Sequence, residues 1–173
     1  LINLRNKLRQ LEIVRRTADL VKNPAYKTEI RDRTLKVVFV SPIFNSFPLL
    51  AVSLMDQTYE NWELLFVHDG PSDQLTSTAR AIIASDERIR LVETDKRAND
   101  WGHTPRQWGF REVAKSIEAD FIVVPNSDNF HVPGFTEKML EHFDDETHVV
   151  FCDMVHEYYS WRNFITRLEY SFI

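Results

Sequence analysis

A single acid, Asp128, stands in a polar turn directly after a short apolar run, Phe121-Ile122-Val123-Val124-Pro125. The amides Asn126 and Asn129 flank it. Four apolar residues rich in Val and Ile read as a strand buried on both faces of a parallel sheet, with Pro125 ending it. In open α/β sheets, ligands bind beyond the carboxyl ends of such strands. A carboxylate there can hold a hard divalent cation, and the cation can hold a phosphate. The plainer account of the same residues is an Asx-rich turn. A second acid at the end of an apolar run, Asp69 in His68-Asp69-Gly70, repeats the arrangement. A third feature is Thr104-Pro105-Arg106-Gln107-Trp108, where a helix start places a cation beside free backbone N–H groups. Thr104 is expected to cap that helix and Pro105 to take its first position. His103 just before it reads as a solvated loop residue.

These residues need a scaffold, and the hydrophobic pattern supplies one. Strands are expected over 35–40, 62–67, 88–93, 121–124 and 149–152. Helices are expected from Pro48 to 55, over 74–85, from 104 to about 118, and over 135–143. Pro42 should block continued pairing of the first strand. The alternation of strand and helix predicts an α/β domain: a mostly parallel twisted sheet with helices on both faces. Before it, Leu1, Leu4, Leu8, Leu11, Ala18 and Val21 recur at helical steps among basic residues. They predict an amphipathic helix over residues 1–22, stopped by Asn23-Pro24. That helix could pack on its own domain, pair with another helix, or lie on an anionic membrane surface. The domain boundaries are 1–34 for this helix and its charged linker, and 35–173 for the sheet domain. The last twenty residues are aromatic-rich, and a helix over 161–172 is expected among them.

Composition narrows the function classes. The chain has 173 residues, 43% hydrophobic and 12% aromatic, enough for one sizeable core. Its net charge of −5 divides unevenly: residues 1–36 carry ten Lys/Arg and four Asp/Glu, residues 37–173 eleven and twenty-two. The acidic body argues against a nucleic-acid partner. One cysteine, Cys152, leaves no internal disulfide and fits a buried thiol in a reducing, cytoplasmic setting. No apolar run is long enough to span a membrane. There is no G-x-G-x-x-G after the first strand, no G-x-x-x-x-G-K-[ST] and no G-x-S-x-G, which sets aside a dinucleotide Rossmann site, a P-loop and a hydrolase elbow.

Five segments together resemble family 2 glycosyltransferases of the GT-A fold, over about residues 35–153. Val38-Phe39-Val40-Ser41-Pro42-Ile43-Phe44-Asn45 is similar to that family's strand-Pro-x-Tyr/Phe-Asn opening. Gln57-Thr58-Tyr59-Glu60-Asn61-Trp62-Glu63 resembles Q-T-Y-x-x-W/F-E. His68-Asp69-Gly70-Pro71-Ser72-Asp73 resembles D-D-G-S-x-D, and Pro105-Arg106-Gln107-Trp108-Gly109 resembles A/P-R-N-x-G. Asn126-Ser127-Asp128 lies where the family has D-x-D, with Pro133 following.

The resemblance implies transfer of a sugar from a nucleotide-diphosphate donor, a UDP-sugar being favoured, to a glycan or lipid-linked acceptor. Inversion at the sugar carbon is expected. It points to Pro42, Phe44, Asn45 and Asp69 for the base and ribose, and to Arg106 and Ser127 beside the nucleotide sugar. It points to Asp128, with Asn126, for a Mg2+ or Mn2+ ion. Three positions depart from the pattern: Asn126 replaces an acid, His68 replaces an acid, and Gln107 replaces an Asn. Losing the acid at 126 removes one negative charge from the metal site. The family's general base usually follows well beyond D-x-D. Here Asp153, His156 and Glu157 are the nearby candidates, Asp153 first, so the chain reads as a donor-binding half with an incomplete acceptor half. The alternative function is a catalytically degenerate GT-A domain that binds a glycan or protein. A sugar-nucleotidyltransferase fits less well, because residues 41–47 hold neither glycine nor a basic residue.

Overall fold

The computed structural model describes residues 34–144 and 146–150. The elements run β1 (Val37–Ile43), α1 (Leu49–Met55), β2 (Trp62–His68), a 3-10 turn (Ser72–Gln74), α2 (Ser77–Ile83), β3 (Ile89–Glu93), α3 (His103–Ser116), β4 (Phe121–Val123) and α4 (Phe135–Leu140). The sheet order is β3-β2-β1-β4, and each neighbouring pair is parallel. This is the α/β architecture that the alternating pattern predicts.

The two faces of β1 and β2 build two cores. Val37, Phe39 and Ile43 of β1 and Leu64 and Phe66 of β2 pack with Leu50, Ala51 and Leu54 of α1, Ala79 and Ile83 of α2, and Leu140 of α4. On the opposite face, Val38, Val40, Leu65 and Val67 meet Val113 of α3. Each buried Val, Leu, Ile or Phe side chain among these contributes about 1.5–3 kcal/mol relative to exposure. Helices therefore lie on both faces, three against one. The close seat of α3 comes from Gly109, where an added Cβ would stand 2.4 Å from a Val40 methyl.

Several expectations change. Pro42 does not end β1, which runs on through Ile43 in register with His68. The Ile43 carbonyl accepts the Asp69 N–H at 3.2 Å, so odd-numbered residues of β1 face β2. Pro42 faces the other way, where β4 has already stopped at Val123, and its missing N–H costs no ladder bond. The strand at 121–123 is not buried on both faces. Ile122 is 43% exposed and Val124 44%, because α3 covers β1 and β2 and leaves β4 bare. The α3 helix starts at His103, with Gly102 as its cap residue, so Pro105 is its third residue rather than its first. Its N–H groups are capped by Asp100, whose carboxylate accepts both the Thr104 N–H (2.9 Å) and hydroxyl (2.6 Å). The 74–85 helix is shorter, with a 3-10 turn ahead of it. Val149 and Val150 are not in a strand. The helices over 1–22 and 161–172, Cys152 and the candidate base Asp153 with His156 and Glu157 lie outside the described residues. No helix among the described residues is long and apolar enough to cross a membrane.

One resembling segment is structural. Gln57 donates from Nε2 to the Val132 carbonyl at 2.6 Å. Its Oε1 accepts the Thr136 N–H and hydroxyl at 3.1 and 2.9 Å. Thr58 N–H donates to the Pro133 carbonyl at 2.9 Å. The fully buried Tyr59 donates its hydroxyl to the Leu35 carbonyl at 2.5 Å. The Gln57 and Thr58 bonds pin the chain that returns from Asp128 against the end of α1, while the Tyr59 bond holds the chain entering β1.

Candidate functional site

The sheet order reverses at β1: β2 and β3 lie on one side of it, β4 on the other. In open parallel sheets the crevice at such a reversal, beyond the carboxyl ends of the two strands, is where ligands sit. Here that place lies between residues 42–46, the end of β1 and the turn after it, and residues 126–128 after β4. The two segments are tied together by the Ser46 and Ser127 hydroxyls, 2.8 Å apart, and by the Leu50 N–H, which donates to the Ser127 carbonyl at 3.0 Å.

The start of α3 closes one side of the crevice. Gly102 has φ 83°, and a Cβ on it would stand 2.7 Å from Pro42 Cγ, so the loop can lie on Pro42 only with glycine there. Arg106 then reaches back across the crevice. Its Nη1 donates to the Trp101 carbonyl at 3.0 Å, and its Nη2 to Asn126 Oδ1 at 2.5 Å. Both acceptors are neutral. Among the described residues the guanidinium meets no carboxylate within ion-pair distance. Half-burial lowers its pKa, with Asp100 acting weakly in the other direction. An arginine nevertheless stays charged.

Asn126 is itself held in a small turn. Its N–H donates to Asn129 Oδ1 at 3.0 Å, and its carbonyl accepts the Asn129 N–H at 3.1 Å. Asp128 projects from this turn exposed to solvent, and its carboxylate has no partner among the described residues. No group of three or more His, Cys, Asp or Glu residues that could hold a metal occurs among the described residues.

The end of β2 organises the remaining wall. Asp69 is buried, and its two carboxylate oxygens accept the Ala98 and Asn99 N–H groups at 2.8 and 2.9 Å. It thereby fixes the loop that carries Trp101 and Gly102. His68, fully buried, has Nδ1 2.7 Å from the Gly70 carbonyl, so Nδ1 carries the proton; Nε2 has no hydrogen-bond partner among the described residues. Its ring lies 5.5 Å from Phe44, and the Arg97 guanidinium stacks on Phe44 at 3.7 Å from the ring centre. Asn45, at φ 49°, donates to Gln74 Oε1 at 3.2 Å.

Thus the residues expected from sequence converge on one edge of the sheet. Pro42, Arg106 and Asn126 are joined through Gly102 and the Arg106 hydrogen bonds. Ser127 is bonded to the loop holding Phe44 and Asn45. Asp69 stands one step behind, as the anchor of a neighbouring loop rather than as an open ligand group. Sequence reasoning missed Arg97, Ser46 and the anchoring role of Asp100. Arg97 lies in an aperiodic polar loop, so nothing in the spacing links it to Phe44. The turn-and-helix signal of Trp101-Gly102 before Pro105 could have pointed to the close approach at Gly102.

The chain matches the family model for glycosyl transferase family 2 over residues 39–172. It is 30% identical over 110 residues to EpsH of Bacillus subtilis strain 168, a glycosyltransferase by designation, covering 61% of this chain and 29% of that protein. It is 27% identical over 128 residues to an uncharacterized glycosyltransferase of Haemophilus influenzae, covering 68% and 48%. The uncharacterized Bacillus subtilis glycosyltransferase YkcC is 26% identical over 126 residues, covering 69% and 37%. The chain therefore spans less than half the length of these relatives. Among solved structures, a Pyrobaculum calidifontis mannosyltransferase in complex with GDP-Man and Mn2+ matches with a TM-score of 0.42 and 18% identity, covering 74% of this chain and 37% of that one.

Proposed function

This chain belongs to glycosyl transferase family 2, and from that premise we propose that its strand-end crevice binds a nucleotide-diphosphate sugar for transfer to an acceptor hydroxyl with inversion. The observation that carries this reading is Arg106, fixed across the crevice between β1 and β4 by the Trp101 carbonyl and Asn126. A nucleoside diphosphate fits that place: the base and ribose against Phe44 and Asn45, the phosphates toward Arg106 and Asp128.

In the transfer, the bond between the anomeric carbon and the diphosphate oxygen breaks, and the electron pair leaves with the diphosphate. The acceptor oxygen bonds the same carbon from the opposite face, and its proton goes to a general base, for which Asp153 is the candidate. Arg106 stabilises the charge that grows on the leaving diphosphate. Asp128 offers one hard oxygen, which suits a Mg2+ or Mn2+ ion whose other ligands are phosphate oxygens and water. Such an ion would supply further charge neutralisation to the leaving group. The acceptor is a glycan or a lipid-linked sugar, the latter placing the basic segment 1–22 at a membrane surface.

Calorimetry with UDP-, GDP- and dTDP-sugars, with and without Mn2+, tests the reading. One donor should bind, and Arg106→Ala should weaken it by about tenfold or more, the worth of a charge-assisted hydrogen bond. Absence of binding by every donor to a chain whose circular dichroism shows it folded would refute the reading.

A further inference from the structure

A partly exposed guanidinium held by two neutral oxygens keeps its charge available to an incoming anion. In Arg106 the Trp101 carbonyl and Asn126 Oδ1 orient the guanidinium, and among the described residues Asp100 acts on it only at a distance, with no carboxylate in ion-pair contact. The orientation of the Asn126 amide is unambiguous, since a guanidinium only donates and must face Oδ1 rather than Nδ2. That oxygen is therefore committed to Arg106. A metal ion drawing on the same oxygen would stand beside a fixed cation and be repelled by it.

The local charge follows directly. Arg106 contributes +1, Asp128 −1 and Asn126 nothing, so the trio is neutral, with the Asp100 carboxylate, engaged by Thr104, acting on Arg106 from beyond ion-pair distance. A carboxylate at 126 would make it −1 and would pair with Arg106, cancelling the charge that Asn126 now holds toward the crevice. A diphosphate approaching two acids needs a divalent cation to overcome their repulsion. One approaching the neutral trio, with a guanidinium left free, does not.

We propose that Asn126 serves as the positioning acceptor of Arg106 rather than as a metal ligand, and that this chain consequently holds a nucleoside diphosphate through Arg106 without requiring a divalent cation. A Mg2+ or Mn2+ ion on Asp128 then adds to the hold but does not create it. This rests on the reading of the crevice as a nucleoside-diphosphate site.

The test is calorimetric titration of UDP and GDP into the whole chain, in EDTA and in Mn2+, for the wild type and Asn126→Asp. Asn126 is exposed, and a thermal melt of each protein confirms folding. For the wild type, affinity in EDTA should lie within about fivefold of that in Mn2+ for the better nucleotide, a difference of about 1 kcal/mol or less. Asn126→Asp should lose about tenfold or more in EDTA and recover in Mn2+, because its acid neutralises Arg106 and demands the ion. Wild-type binding seen only with Mn2+ would overturn the inference while leaving the site reading intact. Equal dependence on Mn2+ in the two proteins would overturn it as well. Failure of both nucleotides to bind the folded wild type under either condition would instead sink the site reading, and the inference with it.

Discussion

Gly102 illustrates how a single backbone angle sets the chemistry at this edge. At φ 83° and in contact with Pro42, it lets the 95–102 loop descend far enough for the Trp101 carbonyl to meet Arg106. Gly102→Ala forces a Cβ into both the left-handed conformation and the Pro42 ring. A destabilisation of at least about 1–2 kcal/mol is expected, the usual cost of that conformation for an L-residue. Urea denaturation measures it, and nucleotide titration should show weakened binding as Arg106 loses its carbonyl. An unchanged midpoint would mean that the close approach to Pro42 does not constrain the loop. Trp101 itself is 94% exposed at φ 60°, so its backbone rather than its indole serves the arginine.

Among the elements, α3 matters most, because it brings Arg106 to the crevice and, among the described residues, covers β1 and β2 on one face of the sheet. Its distance from the sheet is set by Gly109, whose missing Cβ leaves room for Val40 and Val67. Helix propensity by itself favours alanine over glycine by about 1 kcal/mol. Contact at 2.4 Å reverses that preference. Gly109→Ala should therefore destabilise by about 1–3 kcal/mol, as overpacking does, read from chemical denaturation. A stabilised variant would show that α3 can move away from the sheet freely. The helix is held at its other end by Asp100, whose hydrogen bonds from Thr104 keep its carboxyl below the usual range.

For the molecule as a whole, the joint between the sheet and the helices of its larger core runs through His131. Its N–H donates to the Ser53 hydroxyl of α1, and its ring contacts Phe39 of β1 and Phe135 of α4. Nδ1 is buried with no hydrogen-bond partner among the described residues, and burial pushes the imidazole pKa from 6.5 down to about 4. The unfolded chain takes up a proton near pH 6.5, and the folded chain only near pH 4. Stability is therefore whole above about pH 6.5 and falls with acidification at about 1.4 kcal/mol per pH unit until about pH 4. Denaturation midpoints across that window should show the decline, and His131→Phe should flatten it. A wild-type profile as flat as the variant's would mean that His131 titrates alike in both states.

The sequence by itself determined the α/β class, the parallel order of apolar strands and the grouping of chemistry at their carboxyl ends. Runs such as residues 62–68 leave little conformational choice, and family segments mark their turns. It did not distinguish Gln57 and Thr58, which clamp the returning chain, from Pro42, Arg106 and Asn126, which line the crevice. Local pattern carries the same polar signal in both cases. Only tertiary structure decided that Pro42 continues a strand, that Asp69 serves a loop's backbone, and that Arg97 stacks on Phe44. Each of those outcomes depends on a partner 20 or more residues away, whose direction is fixed by strand register and by how closely one helix can lie on the sheet.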